Sequence, residues 1–283
     1  MLTTGHLFSG GGGGLLADAI LGHKPVFAVE WDRHCCRTLR LRADEWFQGL
    51  QVHEGDVRLF DPSPYKGRVD CLHAGFPCQD ISAAGNGEGI NGERSGLVSE
   101  VFRTIDIIHP GLVYLENSPR IRTKGRDRVI AALVARGYAW RDGVLAASDV
   151  GARHDRKRWW CLAANADGLR KLQQERRLSN QWGRINNSAK ENANTDSERC
   201  QDSGGVIPEA MSKGGFGRPT TLELNQNAGA RAPAWFETEP DVGRLVYGVA
   251  DELVPGAVKA LGNGQVPLQA AAAFMILSGQ VGT

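Results

Sequence analysis

Five consecutive glycines, Gly10 to Gly14, separate the short apolar run Leu7-Phe8 from the apolar stretch Leu15 to Leu21. Glycine tolerates backbone angles that other residues resist, so the run predicts a tight loop, and its apolar flanks predict a strand before it and a helix after it. Strand, loop and helix in that order point to an α/β fold, in which both elements bury their apolar sides against a common sheet.

Further along the chain the same grammar repeats. Pro25 to Val29 reads as a strand ending at Glu30, Val69 to Ala74 as a strand ending in Gly75-Phe76-Pro77-Cys78, and Leu112 to Leu115 as a strand ending in Glu116-Asn117. Helical stretches such as Val98 to His109 and Arg128 to Gly137 lie between them. The alternation predicts a Rossmann-like, doubly wound, mostly parallel sheet. Ligands of such sheets bind outside the carboxyl ends of the strands, where each of these runs places polar residues.

From about Asn165 to Ala234 the composition shifts to Asn, Gln, Arg, Ser and Gly, with no strong period. An echo between Ala164-Asn165-Ala166-Asp167 and Ala193-Asn194-Thr195-Asp196 is too short to mark a repeat architecture. Past the polar stretch, Val258 to Pro267 leads into the Ala-rich run Leu268 to Leu277, which predicts a packed helix. The reading is a large domain over 1–164, a small second domain over 165–240, and a segment over 241–283 that returns to the first.

With 283 residues and 41% hydrophobic content, the chain can bury a full core. Its 33 Lys+Arg against 32 Asp+Glu leave a net charge of +1, so bulk charge names no partner. Its distribution is more informative, because Arg120, Arg122, Lys124, Arg126 and Arg128 form one basic cluster and Arg153, Arg156, Lys157 and Arg158 another. Such clusters serve either as phosphate contacts or as solvated faces. No signal-peptide pattern and no run of roughly 18 apolar residues occurs, so a cytoplasmic protein is expected, with no membrane association. The six cysteines show no Cys-x-x-Cys and no zinc-site spacing, so neither disulfides nor metal are expected.

Glycines after a first strand let the backbone approach a nucleotide-like ligand, and a carboxylate ending the next strand can accept from ribose hydroxyls. Gly10, Gly12 and Glu30 occupy those places, and Trp31 offers a face for adenine. Taken alone, this pattern serves dinucleotides or mere packing equally well. Asp56 in Gly55-Asp56-Val57 is either an acceptor for an adenine amine or a turn aspartate. Cys78 follows a proline at a strand end among polar neighbours, a constrained setting in which a thiolate can attack. Cys71 and Cys161, set in apolar runs, read as inert core residues.

In order, Phe8-Ser9-Gly10-Gly11-Gly12-Gly13, Glu30, Gly55-Asp56-Val57, Gly75-Phe76-Pro77-Cys78-Gln79, Glu116-Asn117, Arg156-Lys157-Arg158 and Gly262-Asn263 resemble the motif series of the cytosine-C5 DNA methyltransferases. The resemblance covers Leu7 to about Arg158 and Gly243 to about Leu277. It implies S-adenosylmethionine as methyl donor and double-stranded DNA as partner. The implied catalytic residues are Cys78 as nucleophile toward cytosine C6, Glu116 at ring N3 and the exocyclic amine, and Arg158 with Arg156 at O2 and the Cys78 loop. The implied cofactor pocket comprises Phe8, Gly10, Gly12, Glu30, Trp31, Asp56, Val57 and Asn263, with Pro77 beneath the methyl group. Ser82 and Arg94 would support the active-site loop and DNA phosphates, and the polar middle would be a target-recognition domain. The target base would be rotated out of the duplex. A monomer working in a restriction-modification setting is expected.

Three positions depart from the family pattern: His6 where Asp is usual, Ser118 where Val is usual, and Arg153-His154 where Pro-Gln is common. Cofactor affinity and the base pocket are expected to reflect them. The same fold and Pro-Cys motif occur in relatives that methylate cytosine in transfer RNA, which makes RNA the alternative substrate. A dinucleotide oxidoreductase would explain the glycines and Glu30 but leaves Cys78, Glu116 and Asn263 without roles. A non-catalytic DNA-binding relative would be expected to have lost Cys78 or Glu116, and both are present.

Overall fold

A computed structural model describes residues 1–77, 96–175 and 264–279. Its first unit is β1 (Thr3–Leu7), the glycine loop, α1 (Gly13–Leu21) and β2 (Lys24–Glu30). Then come α2 (Arg33–Trp46), β3 (Gln51–Glu54), β4 (Cys71–Gly75), α3 (Val98–Ile108) and β5 (Leu112–Asn117). A short α4 (Ile121–Lys124) and α5 (Arg126–Val134) lead to β6 (Ala139–Leu145) and β7 (Arg158–Ala164). Helix α6 covers 166–175, and α7 is Pro267–Ser278. Among the described residues no helix is long and apolar enough to cross a membrane.

The strands form one seven-stranded sheet in the order β3-β2-β1-β4-β5-β7-β6. The first five are parallel, as the alternating sequence predicts. Strand β7 runs antiparallel to both β5 and β6. Strand β6 is not evident from the sequence, because Arg141 and Asp142 interrupt its apolar pattern, and β7 is an apolar run after Arg158 whose antiparallel direction the sequence does not reveal. Asp142 is nevertheless buried, accepting bonds from Arg126 at 2.5 and 3.0 Å and from the Trp159 indole N–H at 2.7 Å. Its partners satisfy the charge that would otherwise forbid a strand interior. Edge strand β3 was equally silent, its four residues being mostly polar.

Both faces of the sheet are covered, so successive residues enter opposite cores. In β5, Val113 and Leu115 face the cluster that contains Val101, Ile105 and Ile108 of α3, whereas Leu112 and Tyr114 face Ala270, Ala271 and Phe274 of α7. In β7, Trp159 and Cys161 join the first cluster and Trp160 and Leu162 the second. The alanines of α7 let it lie close against α1, which contributes Ala17 to the same cluster. Proline at the first turn of α7 and Gly279 at φ 72° beyond its end delimit the helix.

Helix α6 belongs with the sheet rather than with the polar stretch after it. Its Leu172 is buried in the second cluster, Lys171 pairs with Asp70, and Gly168 meets the backbone of Gly111, where a Cβ would lie 2.0 Å from the Gly111 oxygen. The division drawn at residue 164 therefore falls inside a packed unit. The remainder of the polar stretch, 176–263, lies outside the described residues.

Under the glycine loop lies a buried polar network. Thr4 Oγ1 donates to Asp18 Oδ2 at 2.5 Å, His6 Nε2 is 2.6 Å from the same oxygen, and His23 Nδ1 is 3.4 Å from Oδ1. Burial opposes charge on Asp18, but its interaction with His6 and the bonds from His23 and His6 prevail and hold the carboxyl well below the usual range. Replacing Asp18 by Ala leaves three buried polar partners without their acceptor, and should cost about 3 kcal/mol or more in urea denaturation at pH 7. Because the folded carboxyl is the stronger acid, its contribution is complete above the unfolded aspartate value of about 4 and declines as pH falls below it. A pH series should show the two proteins converging toward acid.

Candidate active site

The carboxyl ends of β1, β2 and β4 open on a cleft of about 470 Å³. Its walls include Phe8 and Gly10 after β1, Glu30 and Trp31 after β2, Gly55, Asp56 and Val57 after β3, and Gly75 and Pro77 after β4. Phe8 sits at φ 57°, a conformation that costs a non-glycine residue energy and directs the chain into the glycine turn. Gly10 follows at φ 52°.

Glu30 holds this turn. One carboxylate oxygen accepts the Gly10 N–H at 2.7 Å, and the other accepts the N–H groups of Trp31 at 3.0 Å and Asp32 at 2.8 Å. Three backbone donors thus converge on one side chain and lock the glycine loop to the end of β2. Gly12 is not part of the cleft wall. It is the αL N-cap of α1 at φ 95°, packed against Leu39, and shapes the turn from behind. Trp31 is 72% exposed at the cleft mouth, leaving its ring face open. Asp56 lines the cleft while chelating the Arg58 guanidinium, with contacts of 2.5 to 3.0 Å. That bond and the Arg58 N–H keep its carboxyl acidic.

His6, the residue before Leu7-Phe8, does not enter the cleft, since it is turned into the Asp18 network and is buried. Cys35 does line the cleft, at the start of α2, but burial and the nearby Glu30 carboxylate raise its thiol to about 12. Cys71 and Cys161, fully enclosed in the core, are likewise pushed far up by burial. None of these thiols is a nucleophile near neutrality.

Beside the cleft, the ends of β4 and β5 form the second half of the site. Gly75 pairs in register with Glu116. Asn117 donates to the Phe76 carbonyl at 2.9 Å, fixing the backbone that leads to Pro77 and then, one residue on, to Cys78. Cys78, Ser82, Arg94 and Asn263 lie outside the described residues. Ser118 accepts no apolar role here; its N–H donates to the Asn117 side chain and caps the strand end.

Because β7 is antiparallel, its first residue lies at the carboxyl end of β5. Arg158 Nε therefore reaches Glu116 Oε1 at 2.9 Å. Glu116 is only 12% exposed, and burial raises its pKa above the ordinary value despite the opposing effects of Arg158, the Gln265 hydrogen bond and Arg156. Arg156 donates to the Gly264 carbonyl at 2.8 Å and so ties the loop before β7 to the segment before α7. It does not pair with Asp155, which instead faces Lys157 at 3.7 Å. Of the other basic cluster, Arg126 is committed to Asp142, while Arg120 and Arg122 are exposed beyond β5. The sequence reading passed over Asp32, Arg58, Leu97, Gly264 and Gln265, all of which line the cleft or touch its acid. Their signal in the sequence is adjacency: Arg58 follows Gly55-Asp56-Val57, Gly264 follows Gly262-Asn263, and Asp32 follows Trp31.

Over residues 2–213 the sequence matches the family of C-5 cytosine-specific DNA methylases. The chain belongs to that family. Among similar proteins, the type II methyltransferase M.Eco47II of Escherichia coli is 41% identical over 111 residues, covering 39% of this chain and 26% of that protein. The type II methyltransferase M.CviJI of Paramecium bursaria Chlorella virus IL3A is 37% identical over 144 residues, covering 50% of this chain and 38% of its own. Each match spans well under half of the relative's length. A solved structure, the Dnmt2 methyltransferase of S. pombe, is similar with a TM-score of 0.49 at 19% identity, over 58% of this chain and 51% of that one.

The cation at Glu116 favours its ionised form, so removing it should raise the Glu116 pKa further. With carboxyl-labelled glutamate, Arg158→Met should move the Glu116 titration midpoint upward in an NMR pH series. An unchanged midpoint would show that Arg158 and Glu116 are not coupled in solution.

Proposed function

We propose that the protein transfers the methyl group of S-adenosylmethionine to C5 of a cytosine rotated out of duplex DNA, with Cys78 as the covalent nucleophile. One observation carries the reading: a buried carboxyl of raised pKa, Glu116, stands in register with Gly75, three residues before Cys78 and against the cleft.

The cleft fits the methyl donor in its donor set. Phe8, Gly10, Glu30, Trp31, Asp56, Val57 and Pro77 present a glycine turn, carboxylates and an exposed aromatic face, the features a nucleoside with a charged tail requires. Asn263, next to Gly264 of the cleft wall, would join them, with Gly12 shaping the turn from behind. The donor supplies an electrophilic methyl group. The protein's part is to make C5 of the cytosine ring a nucleophile.

The Cys78 thiolate forms a bond to C6, and the electron pair of the C5–C6 double bond becomes available at C5. Glu116 donates its proton to ring N3 and accepts from the exocyclic amine, so charge developing in the ring is neutralised as it appears. Burial favours the protonated form of this carboxyl more than exposure to water would, which suits donation. Arg158 orients that carboxyl and, with Arg156, reaches toward O2. After methylation the C5 proton leaves to a base, the C6–S bond breaks and the N3 proton returns to Glu116, which restores the aromatic ring, the thiolate and the acid. Ser82 and Arg94 would steady the Cys78 loop and the phosphates. The exposed Arg120 and Arg122 support a neutralising contact with the DNA backbone.

Replacing Cys78 by Ala should abolish transfer of labelled methyl to duplex DNA while leaving DNA binding intact. Duplex carrying 5-fluorocytosine should trap the intact protein covalently, since fluorine cannot leave as a proton. Label appearing only on transfer RNA would overturn the substrate. Turnover by the alanine variant would overturn the mechanism. Glu30→Ala should weaken S-adenosylmethionine binding at least tenfold by calorimetry, an order set by losing hydrogen bonds to a charged group. Unchanged affinity would remove Glu30 from the cofactor site.

A further inference from the structure

We infer that Gln265 is a positioning residue for Glu116, holding the edge of the carboxyl that Arg158 does not hold. The inference rests on the reading of Glu116 as the acid of the reaction, and deepens it by adding a residue from the far end of the chain.

Three glycines make room for this one side chain. A Cβ on Gly75 would lie 2.9 Å from both Gln265 Nε2 and Glu116 Oε2, which places amide and carboxyl together over the end of β4. A Cβ on Gly14 would lie 2.8 Å from Gln265 Oε1, and one on Gly13 only 2.2 Å from the Gln265 backbone oxygen. The glutamine therefore lies across the first turn of α1 with its amide nitrogen directed at Glu116, to which it donates a hydrogen bond. Arg158 approaches Oε1 of the same carboxyl.

The backbone on either side of Gln265 is anchored. The Gly264 carbonyl accepts from Arg156, and α7 begins with Pro267 immediately beyond Val266. Gln269, fully buried in that helix, donates to the carbonyls of Leu145 at 2.8 Å and Arg156 at 2.7 Å. The segment thus clamps the β6–β7 connection and delivers Gln265 at a defined height over the sheet. A neutral donor suits the position. A second cation would hold Glu116 ionised, whereas an amide orients the carboxyl and leaves it protonatable. A carboxylate has about four acceptor sites, so these two donors leave sites for the base.

Gln265→Met keeps the length and removes the amide, and Gln265→Leu serves as a second variant should the first not fold. In the full-length protein with carboxyl-labelled glutamate, the Glu116 resonance is identified by its loss in Glu116→Gln. Losing a donor to the carboxylate should move the Glu116 midpoint upward. It should also lower kcat for duplex DNA about tenfold with the KM for S-adenosylmethionine unchanged, the size expected for one charge-assisted hydrogen bond. An unmoved midpoint in either folded variant overturns the inference, whatever the activity. A midpoint that moves while kcat stays at the wild-type value defeats the reading of Glu116 as the acid, and the positioning role with it.

Discussion

Burying one carboxyl, that of Glu116, sets demands that the rest of the structure meets. A carboxyl withdrawn from water becomes a weaker acid, and left alone it would be neutral and free to rotate. Arg158 on one oxygen and Gln265 on the other edge hold it in place, and both oppose the rise in pKa that burial causes. Those two residues come from β7 and from the segment before α7, more than a hundred positions apart. The site therefore exists only when the sheet is complete and the C-terminal segment has docked on α1.

The direction of β7 is what makes this possible. In a parallel strand the first residue would lie at the opposite edge of the sheet, away from the cleft. Running antiparallel between β5 and β6, β7 starts at the functional end and brings Arg158 to Glu116 and Arg156 to Gly264. The part of the cleft built on β1 and β2 rests on an equally local constraint. Glu30 gathers three backbone N–H groups and fixes the turn that Phe8 enters at positive φ. Both halves use a carboxylate at a strand end, Glu30 gathering three backbone N–H groups and Glu116 two side chains.

Most of the parallel strands and the residues at their ends were legible in the sequence because a short apolar stretch is followed by a polar break, whereas β3, mostly polar over Gln51–Glu54, was not. Glu30, Gly75 and Pro77 line one cleft, and Glu116 lies in register with Gly75. Strand β6 was not legible, since Asp142 is a charge whose partner Arg126 only the fold supplies, and the antiparallel direction of β7, an apolar run after Arg158, is not written in its local pattern. Gly12 and His6 illustrate the converse. Both stand in the motif, yet one caps α1 and the other serves the Asp18 network, because a residue's neighbour in sequence need not share its side of the backbone.

By itself, then, the sequence determined the chemical inventory: a glycine turn, strand-end carboxylates, a Pro-Cys pair and a basic pair before Trp159. These are local features, dictated by backbone freedom and by the period-two burial of strands. Only the tertiary structure decided which charges meet. Arg126 is spent on Asp142, Arg58 on Asp56, and Arg158 on Glu116, while Gln265, unremarkable in its own surroundings, reaches the acid. The reason is that ion pairs and buried hydrogen bonds depend on distance in space, which sheet order and strand direction set and local pattern does not.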